Sequence, residues 1–175
     1  MKRLRDKPLF KRIMLIVLIG LSASLQFNAA RYVAVSGIMP NLLLITAAIA
    51  GFTLGSEAGG FTGICLGLYH DAQGGKILGM YALFYMYAGI AAGFFPRKLN
   101  IGNFSTALIA VYILTLLNEG AIYLFAYAIP ILRGGFTPGT DFIGAAAGVI
   151  VPAAFINALW CIPYYFILRP GKAAP

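Results

Sequence analysis

Charge is scarce in this sequence. Of its 175 residues, 10% are Asp, Glu, Lys or Arg, against about 25% in soluble domains, while 61% are apolar and the mean hydropathy is +0.86. Such a composition cannot make a water-facing surface. Acid is rarer still, with five Asp or Glu against thirteen Lys or Arg, and His70 is the single histidine. A metal centre built on clustered His and carboxylate ligands is therefore excluded, and no cofactor is implied. Cys65 and Cys161 lie in separate apolar runs without CxxC spacing, which excludes a zinc ribbon or a dithiol redox motif; each is expected to be a small buried packing residue. The longest strongly polar stretch, 1–12, is too short to fold alone, so no soluble module is present.

The formal charge of +8 would point to nucleic acid in a soluble protein. Here six of the thirteen basic residues fall within 1–12 and most others sit at the ends of apolar runs, a distribution explained by membrane topology. The lipid bilayer is the expected partner, and nucleic acid is not. The basic start followed by Ile13 to Ala30 resembles a secretory signal, but the run is long and further spans follow, so it reads as an uncleaved first helix.

Measured against the roughly 20 residues that cross a ~30 Å core, apolar runs at 13–30, 77–95, 104–129 and 141–168 each predict a spanning helix. Residues 41–69 are harder to place. A continuous helix there would be roughly 43 Å long, and it is interrupted by Gly55-Ser56-Glu57-Ala58-Gly59-Gly60. Two short spans place Arg97, Lys98, Arg169 and Lys172 on the cytoplasmic side with the N-terminus, leaving Arg31, Lys76 and Arg133 outside. One long span reverses the later loops and puts more positive charge outside. Six spans with both termini cytoplasmic is the expectation, with a re-entrant hairpin at 41–69 as the alternative. Because the apolar segments are continuous where a membrane barrel would alternate, the fold class is an all-α polytopic transmembrane bundle. Its single domain covers 13–168, between the basic segment 1–12 and a tail at 169–175.

Gly51, Gly55, Gly59, Gly63 and Gly67 recur every fourth residue, Asp71 takes the next place, and Gly75 and Gly79 continue the series. Small residues at this spacing share a helix face and let another helix approach closely. Packing within the chain is one reading; docking of a partner's helix, or of a second copy, is the other. Asp71, beside His70, is expected to cap the following turn or to pair with Lys76, with a polar pocket as the alternative. A catalytic His-Asp pair would need a nucleophile, and no GxSxG-like elbow accompanies it. Asn118-Glu119 lies near the middle of the 104–129 run, where a carboxylate costs about 2.5 to 3.5 kcal/mol to insert. It reads as a proton or substrate relay, as a buried bond fixing the helix arrangement, or as a protonated Glu119 held by a neighbouring hydroxyl or carbonyl. Glu57 reads as a wetted interfacial residue. The aromatics Tyr81, Phe84, Tyr85, Tyr87, Phe94 and Phe95, with Trp160, Tyr164, Tyr165 and Phe166, read as an interfacial belt, and Tyr81 with Tyr85 as an alternative pocket lining.

Gly63-Ile64-Cys65-Leu66-Gly67-Leu68-Tyr69-His70-Asp71, followed by Leu78-Gly79-Met80-Tyr81-Ala82-Leu83 and preceded by Pro40-Asn41-Leu42-Leu43-Leu44, resembles the rod shape-determining protein MreD family. That family's pattern is a glycine-spaced helix ending G-L-x-x-D, a glycine-containing turn, and L-G-x-x-A-L. The resemblance covers residues 40–83, about a quarter of the chain; His70 and the Gln73-Gly74-Gly75-Lys76 turn depart from the pattern. It implies a non-enzymatic, multi-pass subunit of the bacterial cell-elongation (rod) complex in the cytoplasmic membrane. Such a subunit regulates cell shape and lateral-wall peptidoglycan synthesis, with a bitopic MreC-like protein and the elongation-complex peptidoglycan synthases as partners. The rival is the substrate-capturing subunit of an energy-coupling-factor vitamin transporter, which the MreD family resembles in architecture. The first helix lacks the Ala-x-x-x-Ala surface of such subunits, whereas Asn118 and Glu119 favour this second reading. An intramembrane enzyme ranks third, because the acids and lone histidine form no recognisable constellation.

Overall fold

The computed structural model describes residues 8–28, 32, 34, 37–74, 77–98, 104–132 and 142–168. In chain order they form α1 (Pro8–Asn28), α2 (Leu42–Leu54), α3 (Ser56–Gly74), α4 (Met80–Lys98), α5 (Phe104–Leu132), α6 (Phe142–Ala145), a π turn (Ala146–Ile150) and α7 (Val151–Leu168). The molecule is all-helical, with no strand among the described residues.

At the centre is α2, which touches α1, α3, α4, α5 and α7. It is buried continuously from Leu42 to Phe52, as a helix apolar on every side must be. Its 13 residues rise about 20 Å, less than a ~30 Å hydrocarbon core. A short helix at that depth is tolerated because protein rather than lipid surrounds it.

The 41–69 segment breaks at one residue and not across 55–60. Gly55 takes φ +96° and ψ 175°, a region closed to side chains with a Cβ, and α3 starts at Ser56. Glu57 lies exposed in the first turn of α3, where a helix N-terminus favours an anion. Gly59 and Gly60 are not turn residues; both are buried in α3. The chain folds back at Gly55, so that a Cβ at Gly59 would meet Gly51 of α2.

The largest helix interface is α3 on α4. A Cβ at Gly63 would fall on the Tyr85 backbone and one at Gly67 on Ala82; Gly59 faces Gly89, and Gly93 faces Ser56. Backbones thus approach closely along the whole pair, the contact available where no side chain separates two helices.

Outer and inner surfaces are inverted relative to a water-soluble domain. Ile16, Val17, Leu21, Ile109, Leu117, Phe125 and Phe155 are exposed, while Ser22, Thr46, Thr115 and Asn157 are wholly buried. An exterior this apolar is a lipid-facing surface. Two helical stretches, Phe104–Ala126 and Ala146–Leu168, are long and apolar enough by themselves to cross a membrane. Cys161 is buried, but Cys65 lies on the exposed side of α3, away from the glycine face that meets α4.

Candidate functional site

Where α2 begins, the interior turns polar. Asn41 is the N-cap of α2, and its Oδ1 accepts from the Leu44 N–H at 3.0 Å. Such a cap holds one of the donors a helix start leaves unpaired. Other helices take two more donors: the Leu42 N–H donates to Gln26 Oε1 of α1 at 2.7 Å, and the Asn41 N–H to Asn157 Oδ1 of α7 at 2.7 Å. Gln26 Nε2 also donates to the Pro40 carbonyl at 3.2 Å.

The Asn41 side chain opens a second layer of contacts. Its Nδ2 lies 2.7 Å from Tyr85 Oη on α4 and 3.2 Å from Glu119 Oε1 on α5. Tyr85 Oη is also 2.9 Å from Asn41 Oδ1 and 2.7 Å from His70 Nδ1 on α3. The phenol has one proton and two acceptors within reach, so the cluster has two proton arrangements. Either Tyr85 donates to Asn41 and receives a proton from His70 Nδ1, or it donates to His70 and receives one from Asn41 Nδ2. Glu119 closes the ring through Oε1, which also lies 3.5 Å from Asn118 Nδ2. Its Oε2 accepts nothing from the described residues.

A cavity of about 540 Å³ adjoins this cluster. Gln26 of α1, residues 37–41 ahead of α2, His70 of α3, Tyr81 of α4 and Glu119 of α5 form most of its wall, and Gly148, Val149, Ala153 and Asn157 complete it. The His70 and Tyr81 rings stack at 4.0 Å between centroids and 18° between planes. The π turn presents Gly148 and Val149 to the cavity; such turns widen a helix locally and recur at functional sites.

Asp71 stands apart from the cavity. Its Oδ2 accepts from the Gly79 N–H at 3.0 Å and the Ala82 N–H at 3.2 Å, and its Oδ1 from the Tyr81 N–H at 3.2 Å, so it holds the start of α4. Gly79 has φ +91° and open space around its Cα, so it serves the turn and not a helix contact. Lys76 and Gly75, expected from the sequence to be an ion-pair partner and a member of the glycine series, lie outside the described residues. Asn118 is buried beside Glu119, and its Oδ1 has no partner among the described residues.

The interfacial belt fails for four of its members, one of which, Tyr165, is buried in the core. Tyr85 is wholly buried at the hub of the polar cluster, and Tyr81 walls the cavity. Tyr164 is buried in a separate knot, with Ser22 Oγ 2.6 Å from its Oη and 2.7 Å from Thr46 Oγ1. Sequence reading also missed Gln26, Asn41 and Asn157. Each is a lone amide within or at the start of an apolar run, the same signal that singled out Asn118 and Glu119.

A family model described as the 5TMR of 5TMR-LYT matches residues 1–133. The chain belongs to this five-transmembrane receptor family of LytS-type sensors. It is a membrane protein. No curated protein and no solved structure matches it. The matched residues contain α1 to α5, five helices, so the wall formed by Gly148, Val149, Ala153 and Asn157 lies beyond the family's match.

This assignment overturns the resemblance to the MreD family. The cell-elongation role and the transporter alternative fall with it. The reason is physical. The shared pattern consists of glycines that let α3 and α4 touch and an aspartate that caps α4. Any tightly packed antiparallel pair with a short capped turn calls for those residues, whatever its family.

Proposed function

We propose that this 5TMR-LYT chain is the signal-receiving membrane domain of a sensor, with no catalytic activity of its own, and that the 540 Å³ cavity binds its signal molecule. The observation that carries the reading is the cavity wall itself. Polar side chains from α1, α3, α5 and α7, together with the α2 cap, converge on a space of the size typical of small-molecule sites. Buried amides and a carboxyl group in a lipid-facing bundle are costly to insert, and a ligand site is a use for them.

In the proposed topology the domain over 13–168 crosses the cytoplasmic membrane six times, with α2 and α3 as a short pair. The basic segment 1–12, Arg97, Lys98, Arg169 and Lys172 then lie inside. Asn41, the end of α3 and the start of α4 lie towards the outside, so the cavity receives an external signal.

The test is a thermal-stability screen of the full chain in lipid nanodiscs against a library of small polar metabolites. At least one compound is expected to raise the unfolding temperature of the natural chain but not of Ala153→Trp, which fills the cavity. A library that shifts neither protein, or shifts both alike, defeats the reading.

A further inference from the structure

From the chemistry of the cavity we infer that its ligand carries an ammonium group, which docks between Glu119 and the Tyr81–His70 ring pair. The inference rests on the sensor reading above and adds the ligand class. Among the described residues lining the cavity, Glu119 is the one carboxyl group and none is Lys or Arg. Both amides that contact that carboxyl, through Asn41 Nδ2 and Asn118 Nδ2, reach Oε1, which leaves Oε2 without a donor among the described residues on a side chain that lines the cavity.

Of the four N–H groups from Asn41 to Leu44 at the helix start beside it, three are taken. The Leu42 and Leu44 N–H groups and the Asn41 N–H are already bonded to Gln26, Asn41 and Asn157 side chains. An anionic ligand would meet a carboxyl group with no Lys or Arg among the described lining residues to oppose it. A cation would instead find an open carboxyl oxygen and, next to it, a pair of aromatic rings stacked 4.0 Å apart. Carboxyl groups and aromatic ring faces are both surfaces that attract ammonium groups.

An ammonium group can arrive on a free amine or on a lipid headgroup, and the experiment separates these sources. The full chain is placed in nanodiscs made of phosphatidylglycerol alone, which carries no ammonium. Calorimetric titration then compares choline with 3,3-dimethylbutan-1-ol, its uncharged isostere, and with acetate. Choline is expected to bind saturably and at least about tenfold more tightly than the isostere, with no acetate binding. Equal binding of choline and isostere, tighter acetate binding, or no choline binding overturns the ligand class. In the first two of these outcomes the cavity survives as a site. If adding phosphatidylethanolamine to the bilayer abolishes choline binding, a lipid headgroup is the natural occupant; if choline binding persists, a free amine is.

Glu119→Gln keeps the shape and the Asn41 contact but cannot ionise to meet a cation, and is expected to lower choline affinity at least about tenfold while leaving isostere binding unchanged. Unaltered choline affinity in that variant overturns the assignment of Glu119. The comparison of choline with its isostere uses the natural chain, so it decides the ligand class even if Glu119→Gln does not fold. Ala153→Trp answers a separate question: if choline binding is unaffected by it, the cavity is not the site and the sensor reading fails with the inference.

Discussion

At the scale of single residues, the polar cluster beside the cavity turns on one phenol. Tyr85 Oη meets Asn41 and His70 at once and is fully enclosed, so no water can replace it. Tyr85→Phe preserves the ring and removes the hydroxyl, leaving the His70 ring nitrogen without its partner and the Asn41 amide with only its Leu44 and Glu119 contacts. Leaving buried polar groups unpaired costs about 1 to 3 kcal/mol. The expected outcome is a lower unfolding temperature for Tyr85→Phe in nanodiscs, with weakened binding of any cavity ligand found by the screen. A variant as stable as the natural chain would mean that the cluster is held by other contacts.

At the scale of elements, α3 and α4 form the most closely packed pair among the described helices. A side chain at position 67 would fall on the Ala82 backbone, which cannot move aside as a flexible side chain could. Gly67→Leu is therefore expected to separate α3 from α4 and to displace His70 and Tyr81, which ride on them. Gly20, on the exposed side of α1 with open space where a Cβ would stand, supplies the control. Gly20→Leu should leave expression and detergent-resistant folding near the natural level, while Gly67→Leu should lose most folded material on size-exclusion chromatography. Equal yields for the two would show that the interface tolerates a gap.

At the scale of the whole molecule, the topology is open to a direct test. The expected arrangement puts both chain ends inside and the cavity end outside. A chain with Cys65 and Cys161 replaced by Ala, and a single cysteine introduced at Lys172 or at Met39, is treated in intact cells with a membrane-impermeant maleimide, after the reagent's access to the outer face is verified. Met39, exposed beside the cavity, is the position expected to react, and position 172 is expected to react only after lysis. Labelling of position 172 in intact cells would require an odd number of crossings.

The sequence by itself determined the class of molecule and most of its helices. Runs such as 104–129 and 141–168 are too apolar and too continuous for anything but buried or lipid-facing helices, and the scarcity of charge rules out a water-facing shell. It also marked Glu119, because an acid in such a run is conspicuous. The tertiary structure decided the rest. Whether a glycine breaks a helix, as Gly55 does, or lets another helix in, as Gly63 and Gly67 do, depends on what lies opposite. The same holds for Tyr85, whose hydroxyl becomes a hub because Asn41 and His70, 44 and 15 residues away, are folded against it. A cavity has no local pattern in sequence. It is space left between Gln26, Asn41, His70, Tyr81, Glu119 and Asn157 where α1, α3, α4, α5 and α7 meet the start of α2, and packing alone brings them to one point.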